Sequence, residues 1–246
     1  MKTLIVGIMM ALLPWAAHAG ENRTYSVNGE AFEGYLAPAQ EASKGLVLVI
    51  HDWDGLTDYE MKRADMLAAM GYDAFAVDLY GKGNRPVDTG AKKAETGKLY
   101  KDRERMRALI LGGLAEARNH SEGQAVVMGY CFGGAAALEL ARSGKAEGIM
   151  GYATFHGGLK TPEGQSYDAA TPPLLIAHGG ADRAIPMEDV AALSQELEAS
   201  GVAYEMQVYS GAPHAFTVFG SKRYQEAADT KSWAAFTAFL AARLGS

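Results

Sequence analysis

Cysteine is almost absent from this chain. Cys131 is the only one among 246 residues, so no internal disulfide can form. Runs of lysine or arginine are missing too. The net charge is −6, and nothing suggests nucleic acid or an anionic membrane face as a partner. The six histidines show neither His-x-x-x-His nor His-Glu-x-x-His spacing, so no metal site is expected, and no cofactor motif appears. No internal repeat or long low-complexity linker divides the chain. Apolar residues make up 48%, which suits one large domain with a full core.

The first twenty residues differ from the rest. Lys2 gives a basic start, Leu4 to Leu13 is an apolar stretch, and Ala17-His18-Ala19 is a small-residue cleavage site before Gly20. This is the three-part form of a secretory signal peptide. The expectation is a signal over residues 1–19 and a single domain over residues 20–246, exported to a bacterial periplasm or secreted. The apolar stretch is too short for a stable anchor, and no later one could span a membrane. A lone thiol in an oxidising compartment is a liability unless it is buried or used.

Continuous apolar runs mark strands covered on both faces: Leu46 to His51, Ala74 to Leu79, Ala125 to Tyr130, Ile149 to Phe155 and Leu174 to His178. Tyr25 to Leu36 reads as a hairpin around Asn28-Gly29. Tyr204 to Tyr209 alternates and belongs nearer an edge. Between them, Tyr59 to Met70 reads as a helix stopped by Gly71. Helical spacing groups Ala108, Leu111 and Leu114, then Val190, Leu193 and Leu197, then Trp233, Phe236 and Leu240. Alternating strands and helices predict an α/β protein, a mostly parallel central sheet with helices on both faces. Ligands then bind beyond the carboxyl ends of the strands.

The loop after Ala125 to Met128 is Gly129-Tyr130-Cys131-Phe132-Gly133-Gly134, followed by a good helix former, Ala135 to Leu140. This is Gly-x-Cys-x-Gly between strand and helix, a nucleophile elbow with cysteine for serine. A Cβ at Gly129 or Gly133 should clash with neighbouring backbone. The helix start should favour thiolate at Cys131, and the Phe132 N–H is free to donate to an oxyanion. The competing reading is a buried cysteine beside a glycine-rich turn.

An elbow calls for an acid and then a histidine, each after a later strand. Asp182 follows Leu174 to His178, and His214 follows Tyr204 to Tyr209. Taken singly, Asp182 could be a turn or cap residue and His214 a surface histidine. In order and at strand ends, they fit an acid that orients an imidazole and an imidazole that takes the Cys131 proton. His51, His156 and His178 also end strands and could line the pocket or satisfy loop backbone. In the loop after Leu46 to Ile50, the Trp53 N–H is the expected second oxyanion donor. Asp52 and Asp54 stand close by and should raise the thiol pKa.

These motifs make the chain resemble the dienelactone hydrolase family. The resemblance rests on His51-Asp52-Trp53-Asp54-Gly55-Leu56, Asp78-Leu79-Tyr80-Gly81, the Cys131 elbow, Gly179-Gly180-Ala181-Asp182 and Pro213-His214-Ala215-Phe216. It implies a monomer of α/β-hydrolase fold with Cys131, Asp182 and His214 as a triad, acting on a small ester or lactone. It also implies that Asp52, where the family carries glutamate, accepts the thiol proton. The family binds the substrate carboxylate with two arginines; Lys82 aligns near one, and Val218 stands at the other. Lys82, Arg85 and Tyr130 are the substrate-binding candidates, with Lys222 a further cation nearby. Two other readings stay open: a general carboxylesterase or peptidase-like hydrolase of the same fold, and a non-catalytic binding or redox-sensing protein on that scaffold.

Overall fold

The structure, a computed structural model, describes residues 20–245; the expected signal segment at 1–19 lies outside them. The chain opens with β1 (Glu21–Val27) and β2 (Glu30–Ala37), an antiparallel hairpin. Its turn is Asn28-Gly29, both at positive φ (51° and 83°), the conformation that two-residue hairpins require. Six further strands follow: β3 (Leu46–Ile50), β4 (Asp73–Val77), β5 (Ala125–Tyr130), β6 (Ile149–Phe155), β7 (Leu174–Gly179) and β8 (Tyr204–Tyr209). They form one eight-stranded sheet in the order β1-β2-β4-β3-β5-β6-β7-β8. Every pair from β4 to β8 is parallel; β2 alone runs against the rest, antiparallel to both β1 and β4.

The central strands β3, β4 and β5 are buried at every residue, as their unbroken apolar runs require. β8 is half-buried and sits at the edge, as its alternation indicated. One face of the sheet packs against α2 (Thr89–Lys101), α3 (Arg103–Arg118), α4 (Phe132–Ser143) and α5 (Met187–Ser200). The other packs against α1 (Asp58–Ala69) and α6 (Glu226–Leu244). Val190, Leu193 and Leu197 of α5 are all buried, and so are Phe236 and Leu240 of α6.

One helical expectation needs correction, and one helix was not anticipated. The core stripe of α3 is Met106, Leu109, Ile110, Leu114 and Ala117; Ala108 and Leu111 sit beside it, half-buried. The three-residue spacing was right, but the face was offset by one residue, because Met106 and Leu109 point at the sheet. α2 has no apolar stripe to read; only Thr96 and Leu99 are buried. It is held at its N-cap by Asp88, whose carboxylate accepts from the Ala91 N–H at 2.9 Å.

Candidate active site

The carboxyl ends of β3, β5, β7 and β8 bring the chemistry-bearing loops together. β5 ends at Tyr130, and Cys131 then takes φ 48° and ψ −109°, a strained conformation for a non-glycine residue. The turn closes because the flanking glycines have no Cβ. One added at Gly129 would lie 2.1 Å from the Gly133 carbonyl oxygen. One added at Gly133 would lie 2.2 Å from the Ile50 carbonyl oxygen, at the end of β3. α4 starts immediately, at Phe132.

His214 stands in the loop after β8. Its Nε2 lies 3.0 Å from Cys131 Sγ, and its Nδ1 lies 2.7 Å from Asp182 Oδ2. Asp182 is itself fixed by the N–H groups of Ala184 (2.8 Å) and Ile185 (3.0 Å), both donating to Oδ1. Burial alone would raise its pKa. The bonds from His214 and these two N–H groups outweigh burial and hold the carboxyl below its usual range. Asp182 is therefore anionic at neutral pH and can only accept from the His214 ring at Nδ1, which turns Nε2 toward the thiol.

The thiol is not pre-ionised. Burial pushes its pKa well above the ordinary value, and Asp52 adds to this by charge and by accepting a hydrogen bond from the sulfur. The Phe132 N–H at the start of α4 bonds to the sulfur and acts in the opposite direction, but it loses. The expectation that the helix start would favour thiolate is thus corrected: desolvation and a neighbouring carboxylate outweigh it. Asp52 is itself pushed up to about 6, by burial first and by Asp54.

Asp52 also fills the place assigned to an oxyanion. Its Oδ1 accepts from the Trp53 N–H at 2.5 Å. Both expected donors are therefore engaged, Trp53 by Asp52 and Phe132 by the sulfur. The loop carrying them is tied down by Glu60, which sequence reasoning missed. Its Oε1 accepts from the Asp52 N–H (3.1 Å), and its Oε2 accepts from the N–H (2.9 Å) and hydroxyl (2.8 Å) of Thr57. The Thr57-to-Glu60 spacing is a capping box, a signal that was legible at the start of α1.

A cavity of about 320 Å³ opens over Cys131 and His214. Trp53, Tyr100, Phe132 and Ile185 wall it, and Asp52 and Arg223 are the charged groups at its lining. The cation candidates read from the sequence lie elsewhere. Lys82 bonds to the Thr24 hydroxyl (2.8 Å) and pairs with Glu33. Arg85 is spent on Asp78 (3.2 Å) and on backbone carbonyls of the loop preceding α2. Tyr130 is wholly buried under the sheet end, against Tyr59 and Phe155. Sequence proximity to the family positions misled here, because local carboxylates and carbonyls had already claimed those side chains. His51 and His178 satisfy loop backbone instead of lining the cavity. His51 bonds the Asp52 carbonyl and the Leu79 N–H, and His178 bonds the Ile185 carbonyl.

The comparison that decides the family is with the model of the dienelactone hydrolase family, which matches residues 32–244. The chain belongs to that family. As a member of the dienelactone hydrolase family, it is a hydrolase acting on esters or lactones. A Bradyrhizobium protein named "Probable 2-oxo-3-(5-oxofuran-2-ylidene)propanoate lactonase" is 24% identical over 216 residues, 84% of this chain and 87% of that one. The crystal structure of P91, a dienelactone hydrolase-like promiscuous phosphotriesterase from metagenomic libraries, superposes with a TM-score of 0.82. It is 25% identical, with 91% of this chain and 98% of that chain covered. The solved structure m3DLH gives the same TM-score and coverage at 29% identity. The fold is the α/β-hydrolase fold.

Proposed function

We propose that this protein is a thiol hydrolase that opens a small ester or lactone through Cys131, His214, Asp182 and an acyl-enzyme. The observation that carries the proposal is the unbroken line from Sγ to Nε2 (3.0 Å) and from Nδ1 to the Asp182 carboxylate (2.7 Å). Sγ attacks the carbonyl carbon and its proton passes to His214 Nε2, giving an imidazolium stabilised by Asp182. The carbonyl oxygen becomes an oxyanion bonded by the N–H groups of Phe132 and Trp53. Collapse breaks the C–O bond, and His214 returns the proton to the departing alkoxide. Water, deprotonated by His214, then cleaves the S–C bond and releases the acid. In a lactone the alcohol remains attached to the acyl group, and the product is a hydroxy acid.

Asp52 governs the start of this sequence. It masks the Trp53 N–H and holds the thiol protonated, so a substrate carbonyl must displace it. Asp52→Asn removes the charge that raises the thiol pKa. Its alkylation by iodoacetamide at pH 7 should run about tenfold faster than wild type, with the profile moved to lower pH, since one pKa unit is one decade of thiolate. An unchanged profile would separate Asp52 from the thiol.

The apolar, aromatic walls and the single cation Arg223 favour a substrate with an unsaturated or aromatic body and an acidic group. Arg223 forms no ion pair among the described residues and is free to meet one. A panel of anionic lactones, neutral short esters and phosphotriesters tests the reading, the last class prompted by what P91 is named to cleave. Arg223→Gln should raise KM about tenfold for the anionic substrates and leave kcat and the neutral esters alone. No turnover of any ester or lactone would overturn the proposal. We further propose that the protein works as an exported monomer, cleaved after Ala19, which N-terminal sequencing of the periplasmic fraction and light scattering would test.

A further inference from the structure

His156 is buried, directly beneath His214, and has no place in the steps above. It follows the last residue of β6 and takes φ 42°, in the left-handed region that a non-glycine residue adopts only when its surroundings demand it. Its ring meets the His214 ring at 5.3 Å between centroids and 67° between planes. Phe216 packs on the same ring, with centroids 5.5 Å apart. Nε2 of His156 lies 2.8 Å from the Thr217 hydroxyl, and the Thr217 hydroxyl lies 2.7 Å from the hydroxyl of Tyr59 on α1. Arg63, one turn further along α1, donates to the Thr217 carbonyl at 2.9 Å and pairs with Asp229 of α6. Thr217 is completely buried and only three residues past His214.

The strain at His156, the edge-on ring contact and the hydroxyl relay converge on one imidazole. His214 has just two hydrogen-bonding atoms, and both lie in its ring plane, so its bonds to Sγ and Asp182 do not stop it tilting about the line joining them. A ring packed edge-to-face does. Burial, with the charges of His214, Arg63 and Arg223 acting the same way, keeps His156 neutral, while Asp182 acts against them. A neutral ring can lie against an imidazolium without repelling it.

We infer that His156 and Thr217 are positioning residues for the hydrolytic reaction: Thr217 fixes the His156 ring, and His156 fixes the plane in which His214 joins Cys131 to Asp182. The inference rests on the triad reading and extends it to two residues that touch no substrate.

The test is Thr217→Val, which keeps shape and removes only the hydroxyl, beside Thr217→Ser, which restores it. With p-nitrophenyl acetate, Thr217→Val should lose about tenfold or more in kcat while KM stays within about twofold, the signature of lost alignment. The downfield proton resonance of the His214–Asp182 bond should broaden or vanish in the valine variant. Thr217→Ser should return both to near wild type. Tyr59→Phe, which removes one hydroxyl from the same relay and leaves its ring in place, gives a milder loss of the same kind and serves if the valine variant does not fold. Wild-type kcat and an unchanged resonance in folded Thr217→Val would overturn the inference, as would a serine variant as impaired as valine. The triad reading fails by a different sign: hydrolysis persisting in Cys131→Ala, whatever Thr217 does.

Discussion

Cys131→Ala should abolish ester and lactone hydrolysis, with kcat/KM falling by at least about 10⁴-fold, since loss of a nucleophile leaves only binding and oxyanion stabilisation. Folding should survive. The side chain makes no contact that alanine would turn into a clash, and Cβ is retained in the strained turn at φ 48°. The loss is therefore chemical and separable from stability by a melting curve. The comparison with His214→Gln is informative. Removing the base leaves a thiol whose pKa burial and Asp52 hold well above the ordinary value, so almost no thiolate forms at neutral pH without it. Both variants should fall to a similar floor, and the double variant should fall no further, because the two residues act as a unit. A Cys131→Ala enzyme with more than about a tenth of wild-type activity would point to another nucleophile.

Gly133→Ala should act on both stability and rate. The new Cβ would stand 2.2 Å from the Ile50 carbonyl oxygen and 2.5 Å from that of His51. Both are backbone atoms at the end of a central, fully buried strand, so neither can swing away as a side chain would. The clash is relieved only by moving the start of α4 away from β3, at a loss of about 3 kcal/mol, the range for overpacking a dense core. In a domain of this size that lowers Tm by about 10 °C. The same movement carries Cys131 and the Phe132 N–H out of register with His214. A displacement near one ångström is worth about a hundredfold in rate. Differential scanning calorimetry and kcat on the surviving folded fraction measure the two parts separately. A variant with wild-type Tm and rate would show that the elbow tolerates a side chain where the backbone leaves no space.

The residues that could be read from the chain alone are those whose position is set by short-range rules. Cys131 was legible because the glycines on either side have a steric reason to be there, Asp182 because it follows the buried apolar strand β7, and His214 because it follows the alternating edge strand β8. The hairpin at Asn28-Gly29 and the edge placement of β8 follow from equally local patterns. What could not be read depends on who meets whom across the fold. Lys82 and Arg85 look like free cations in the sequence, yet Glu33 on β2 pairs with Lys82, and Asp78, seven residues back, pairs with Arg85. Arg223 looks like an ordinary surface charge in a polar loop and is the cation that reaches the cavity. Tyr130 borders Cys131 in sequence, but strand alternation turns it inward. The offset on α3 has a similar origin, because i+3 spacing gives a stripe without saying which stripe faces the sheet. The thiol pKa was a contest between the start of α4 and the Asp52 carboxylate, and only burial and distance decide such contests.

The most direct measurement is mass spectrometry of the intact protein quenched within the first turnover of p-nitrophenyl acetate, followed by peptide mapping. The account predicts one acetyl group per chain, carried by the peptide that contains Cys131, appearing with the burst of nitrophenol and lost on incubation in water. In His214→Gln the adduct should form far more slowly. An acetyl group on any other residue, or full turnover with no covalent adduct under quench conditions that trap a thioester, would contradict it.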